Sequence, residues 1–157
     1  MQKTVLIING SGLSDSDISG SDRYDGVTLA MIRKACEELC GELNLNLDFQ
    51  QIDDFQELLS LLTKESSDKG KVDAVIVNPL GYAREEDFDF SAYCEVIDQL
   101  KQAKKPISEV HLSNVYTQSR DVALPHHKPG GEMGFISGFG VDGYLLAIRS
   151  LAEKLQN

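Results

Sequence analysis

Positive charge, sulfur and long apolar runs are all scarce in this chain. Fifteen Lys and Arg face 25 Asp and Glu, for a net charge of -10 at pH 7. Such a field argues against nucleic acid or an anionic membrane as a partner, and an anionic small molecule must meet a local exception to it. The three cysteines, Cys36, Cys40 and Cys94, form neither a C-x-x-C pair nor a disulfide framework. An odd, sparse set fits a reducing compartment, so a cytoplasmic protein is expected. Cys36 and Cys40 stand one helical turn apart and read as small core residues. No stretch is long or apolar enough to cross a bilayer, and Met1 leads straight into a strand pattern, so no membrane span or signal peptide is expected. At 157 residues, 41% hydrophobic and 25% charged, the chain has the size and composition of one globular domain, expected over residues 1–157.

What is present alternates between two periods. Thr4–Ile8, Ala74–Val77 and Ile107–Leu112 are short apolar runs that fit strands buried on both faces; Leu45–Phe49 and Gly134–Ser137 complete a set of five. Helical spacing recurs over Val27–Leu43, from a cap at Asp53 through about Lys64, over Ser91–Lys104 and over Asp142–Leu155, where Leu145, Leu146, Ile148, Leu151 and Leu155 are the apolar positions. Two long polar loops, Ser11–Asp25 and Asn114–Glu132, interrupt the pattern, and the first has too few apolar groups to be held by packing. Strand–helix alternation predicts an α/β three-layer sandwich around a five-stranded parallel sheet, with the flavodoxin-like strand order. Asn9, Gln51, Asn78 and Ser113 then end strands on one rim.

Three motifs bear on chemistry. Gly138-Phe139-Gly140-Val141-Asp142-Gly143 spells G-x-G-x-x-G, but it occupies the last strand–helix unit, with no following strand to carry a ribose-binding acid. It is read as a tight turn with close helix packing, not a dinucleotide site. An FMN site is disfavoured by Asp15 and Asp17 in the first loop. A phospho-acceptor site is excluded by asparagines at the first and third strand ends. His126-His127 lack a third ligand at metal-binding spacing, and no cofactor is expected. His111, by contrast, shares its rim with Ser113, Asn114 and Asn78, and histidine is the usual general acid or base near neutral pH. The residues therefore favour an acid–base site centred on His111.

These motifs resemble the type II 3-dehydroquinate dehydratases. Glu109-Val110-His111-Leu112-Ser113-Asn114 matches the family's E-V-H-L-S-N without a change, and Gly134–Gly140 with Gly143–Ala147 matches its final strand and helix. Ile8–Leu13 resembles I-N-G-P-N-L, Val77–Tyr82 resembles N-P-G-A-Y, and Arg23-Tyr24-Asp25-Gly26 stands at the mobile-loop tyrosine. The resemblance implies an anti elimination of water through an enolate, without metal or Schiff base. By matching position it implies Tyr24 as the base, Asn78 as holder of the enolate water and His111 as the general acid. Leu112 and Ser113 would bind the substrate carboxylate, with Gly81, Arg84, Arg23 and Arg120 as further substrate contacts. The substrate class is a small anionic cyclic polyol, and the assembly a homo-oligomer, trimer or dodecamer.

The chain departs from the family pattern at identifiable places. Gly12 replaces the second asparagine of N-G-P-N, Ser19 the loop arginine, Arg84 the histidine after N-P-G-A-Y, Phe55 a glutamate, and Gln118 and Pro125 two arginines. A tyrosine ionises ordinarily near pH ~10, so a tyrosinate at neutral pH needs a cation beside it, and Arg23 and Arg84 are the candidates. In the segment after Asn114, Arg120 and His126 are the available cations. A slow dehydratase is expected; the alternatives are a relative that binds a related hydroxy-carboxylate without dehydrating it, and another lyase or isomerase on the same scaffold.

Overall fold

The computed structural model describes residues 1–13, 26–79, 81–82, 86–114 and 133–157. Five strands, β1 (Thr4–Asn9), β2 (Asn46–Gln51), β3 (Ala74–Asn78), β4 (Ile107–His111) and β5 (Gly134–Ser137), form one parallel sheet in the order β2-β1-β3-β4-β5. That is the expected flavodoxin-like order. β1, β3 and β4 have few side chains that water can reach, because helices cover both faces.

On one face pack α1 (Leu29–Glu42) and α4 (Val141–Gln156), which join Ile32, Cys36, Leu39, Tyr144, Ile148 and Leu151 to Val5, Ile7, Ala74, Ile76 and Val110. On the other pack α2 (Phe55–Ser66) and α3 (Phe90–Gln102), joining Phe55, Leu58, Leu62, Tyr93, Ile97 and Leu100 to Leu6, Ile8, Val75, Val77 and Ile107. The period-two alternation along each strand sorts its side chains between these two cores.

Capping sets the helix starts. Thr28, Asp54 and Asp89 each accept a hydrogen bond from the backbone N–H three residues on, at 3.1, 2.8 and 3.0 Å. The cap of α2 is thus Asp54 and not Asp53, whose carboxylate accepts from Gln51 Nε2 at 3.0 Å instead. α2 also runs on to Ser66, beyond the expected Lys64, because Glu65 turns inward. Its buried carboxylate accepts from the N–H groups of Lys71 (2.7 Å) and Val72 (3.0 Å), and Lys105 Nζ lies 3.8 Å away. Leu146 is a second correction: it is 47% exposed, because the buried stripe of α4 follows Tyr144, Ile148 and Leu151 and leaves Leu146 on the outer side. Among the described residues no helix is long and apolar enough to cross a membrane.

Candidate active site

β1, β3 and β4 end in Asn9, Asn78 and His111, all buried. Asn9 and Asn78 are register partners, and Val77 pairs with Glu109 of β4. The strand order reverses between β1 and β3, and ligands of open parallel sheets bind where it does.

Alternation along β4 sends Ile107, Glu109 and His111 to the α2/α3 side, opposite Val110. Glu109 and His111 therefore meet: His111 Nε2 lies 2.9 Å from Glu109 Oε2, both side chains being withdrawn from water. The second carboxylate oxygen accepts from the Tyr93 hydroxyl of α3 at 3.0 Å. Burial, then the Glu109 charge, pushes the Tyr93 hydroxyl well above its ordinary range, so it stays protonated and donates. A carboxylate only accepts, so it holds the ring proton on Nε2. Nδ1 is then the nitrogen left for chemistry; it is buried and has no partner among the described residues. Phe135 of β5 flanks the imidazole, ring centroids 5.5 Å apart.

A second polar cluster lies on the opposite face of the same rim. Asn9 Nδ2 donates to the Gln50 carbonyl (3.3 Å), the Tyr144 hydroxyl of α4 donates to Asn9 Oδ1 (2.7 Å), and Asn78 Nδ2 donates to the Tyr144 oxygen (3.0 Å). Asn78 Oδ1 is buried without a partner among the described residues. The rim thus carries unsatisfied atoms on both faces, His111 Nδ1 and Asn78 Oδ1, and among the described residues Ser11 Oγ and Gln51 Oε1 beside them are also without a partner. Buried polar atoms are rarely left so without a ligand or water to complete them.

Close backbone contact holds the turns around these atoms. Gly10 N–H donates to the Asn78 carbonyl at 3.0 Å, and a Cβ on Gly10 would stand 2.8 Å from that oxygen. A Cβ on Gly81 would stand 1.4 Å from the Ser11 carbonyl oxygen, so the first and third strand–helix turns touch main chain to main chain. The G-x-G of the last turn has the packing role expected of it. Gly138 N–H donates to the His111 carbonyl (3.3 Å) and Gly140 N–H to the Leu112 carbonyl (2.8 Å), with φ at 91° and 56°. Both glycines tie the end of β4 in place.

Of the expected site residues, the structure describes His111, Asn78, Leu112, Ser113 and Gly81, all at this rim. The Leu112 side chain is buried in the α1/α4 core, and the Ser113 carbonyl accepts from Ser137 Oγ at 3.2 Å. Tyr24, Arg23, Arg84 and Arg120, with His126 and His127, lie outside the described residues. Among the described residues no group of three His, Cys, Asp or Glu could hold a metal. Sequence reading did not assign roles to Glu109, Tyr93 or Tyr144. The i, i+2 spacing of Glu109 and His111 on a strand was a usable signal for the first. Tyr93 and Tyr144 sit at ordinary core positions of their helices, and periodicity does not reveal where a hydroxyl finds its partner.

A parallel 2-1-3-4-5 sheet whose C-terminal rim holds a buried histidine–carboxylate pair defines an α/β protein suited to proton transfer on a small molecule. The chain belongs to the class II dehydroquinase family, whose model matches residues 3–152. The 3-dehydroquinate dehydratase of Brucella canis is 32% identical over 154 residues, which span 97% of this chain and 90% of that protein. The crystal structure of the type II dehydroquinase from Propionibacterium acnes matches with a TM-score of 0.72 at 25% identity, covering 98% of each chain. That of a 3-dehydroquinate dehydratase-like protein from Bifidobacterium longum matches with a TM-score of 0.67 at 25% identity, covering 99% of this chain and 100% of that one.

Proposed function

We propose that this chain, as one dehydroquinase-like domain over residues 1–157, removes water from 3-dehydroquinate to give 3-dehydroshikimate. Tyr24, as tyrosinate, takes the proton next to the ketone. The C–H electrons move into an enolate, steadied by a water held on Asn78 Oδ1. The enolate collapses, the C–O bond breaks on the opposite side, and His111, carrying a second proton on Nδ1 while Nε2–H stays on Glu109, gives that proton to the departing hydroxyl, which leaves as water. The N–H of Leu112 and the Ser113 side chain hold the carboxylate, with Gly81, Arg23, Arg84 and Arg120 as further substrate contacts. The protein works as a cytoplasmic homo-oligomer, trimer or dodecamer.

One observation carries this reading: His111 is held at Nε2 by a buried carboxylate while Nδ1 is unsatisfied at the rim. A histidine retained only for packing would gain nothing from such an arrangement. The product enone absorbs in the ultraviolet, so turnover is measured directly. Turnover abolished by His111→Ala and by Tyr24→Phe supports the reading; turnover unchanged in either variant overturns it. The substitutions Gly12, Ser19 and Gln118 remove groups that stabilise charge in other family members, so the rate is expected to be low. Each such loss costs on the order of 10²–10³ in rate. Thermal stabilisation by 3-dehydroquinate with no turnover would mark instead a relative that binds a hydroxy-carboxylate without dehydrating it.

A further inference from the structure

We propose that Tyr144 is a positioning residue that fixes the polarity of the Asn78 amide, turning its carbonyl oxygen to the rim. The catalytic consequence rests on the dehydratase reading above; the polarity itself does not.

The direction of these three hydrogen bonds follows from one end. A backbone carbonyl only accepts, so the Asn9 atom 3.3 Å from the Gln50 carbonyl is the amide nitrogen. Asn9 Oδ1 is therefore the atom 2.7 Å from Tyr144, and it requires the single proton of that hydroxyl. With that proton committed, the tyrosine oxygen accepts from its next neighbour, so the Asn78 atom 3.0 Å away is Nδ2. Oδ1 of Asn78 is then the atom left over, buried at the strand end. An asparagine flips at little steric cost. Here three residues, Gln50 on β2, Asn9 on β1 and Tyr144 on α4, hold it one way.

The polarity matters to a bound water. An acceptor holds the water by one hydrogen and thereby sets the direction of the other, which points to the oxygen where enolate charge develops. A reversed amide would hold the water by its lone pair and leave both hydrogens free to rotate. Dipoles aimed before the reaction need no reorganisation during it. Tyr144 touches neither substrate nor water in this scheme and acts through Asn78.

The test compares wild type, Tyr144→Phe, Asn9→Leu and the double variant in the ultraviolet assay, beside neutron diffraction from wild-type crystals grown in deuterated buffer. Tyr144→Phe is expected to lower kcat roughly 10- to 100-fold, the usual loss when a partner that orients an active group is removed, with KM near the wild-type value. Asn9→Leu should behave alike, and the double variant should be no slower than Tyr144→Phe, because both act through one route. The nuclear density should place the hydroxyl deuteron toward Asn9 and the amide deuterons of Asn78 toward Tyr144. Wild-type kcat in Tyr144→Phe, additive losses in the double variant, or amide deuterons turned to the rim would overturn the proposal. Should Tyr144→Phe fail to fold, the nuclear map of the wild type decides alone. Wild type without turnover withdraws the dehydratase reading, and the map still decides the polarity.

Discussion

Glu109→Gln changes one atom of the site and should disable its acid. The carboxylate accepts from the Tyr93 hydroxyl at 3.0 Å and from His111 Nε2 at 2.9 Å. A glutamine has one acceptor and one donor end. The Tyr93 hydroxyl, which burial alone still keeps protonated, has no other acceptor among the described residues and so takes the acceptor end. The NH2 group then faces Nε2 and takes its lone pair, so the imidazole proton moves to Nδ1. Giving that proton away would leave an imidazolate, which a buried ring does not sustain. The expected loss in kcat is the contribution of a general acid, about 10²–10⁴-fold. The shape is conserved and a buried charge is removed, so the melting temperature should hold or rise. Adding Tyr93→Phe frees the glutamine to turn its oxygen to Nε2 and should restore part of the rate. The readouts are the ultraviolet assay and a thermal melt on the same samples. Turnover within a few-fold of wild type in a folded Glu109→Gln protein would refute the tautomer argument.

Other perturbations test the frame around the site. Glu65→Ala removes the acceptor of the Lys71 N–H and orphans the buried N–H of Val72, and denaturant titration should show a loss of about 1–3 kcal/mol from the buried donor. Gly81→Ala drives a methyl group to 1.4 Å from the Ser11 carbonyl oxygen; the backbone must part there, and about 1–3 kcal/mol of stability should go with it. Burial, then Cys40 and Glu37, raises the Cys36 thiol from its ordinary 9.0 to about 12, and burial raises Cys40 to about 11. Between pH 9 and those values the folded chain binds more protons than the unfolded one. This contribution to stability is therefore complete below about pH 9 and falls as pH rises through 11 and 12. Urea titrations should show that slope flattened in a Cys36→Ala/Cys40→Ala protein, and an unchanged slope would contradict it. Light scattering at micromolar concentration should give the mass of a trimer or larger; a monomer would contradict the proposed assembly.

The sheet was legible because its cause is local. Val5–Ile8 and Ala74–Val77 are apolar without a break, which only a strand covered on both faces tolerates, and the helix stripes follow from spacing alone. The rim was legible too, since Asn9, Asn78 and His111 stand where apolar runs stop. Boundaries were less so. Asp53 and Asp54 offer the same side chain, and only the backbone geometry at Asp54 makes it the cap. Leu146 reads as core by composition, whereas the helix turns it outward. The network was the least legible part. Tyr144 falls on the apolar stripe with Ile148 and Leu151, and a hydroxyl on such a stripe declares its partner only when two distant strands arrive. The family resemblance pointed to His111 and Asn78 as actors, but not to the groups that hold them.

The bond from Tyr144 to Asn9 joins residues 135 apart in sequence, and this sets an order in time. A ribosome delivers Asn9 early and Tyr144 near the close of this stretch, and a contact across so long a loop is among the last to close in folding. β1, β2 and β3 with α2 and α3 have most of their neighbours before α4 arrives, whereas α1 still lacks its partner helix on the other face. Until then Asn78 has no tyrosine to hold it, and the glycine turn ahead of α4 has not yet tied down the end of β4. The rim is therefore completed by α4, and catalytic competence reports the docking of that helix. In a refolding experiment, burial of Phe55, whose ring lies 5.9 Å from that of Tyr82 and 4.9 Å from that of Phe88 on the α2/α3 face, should run ahead of activity, the lag being the docking of α4.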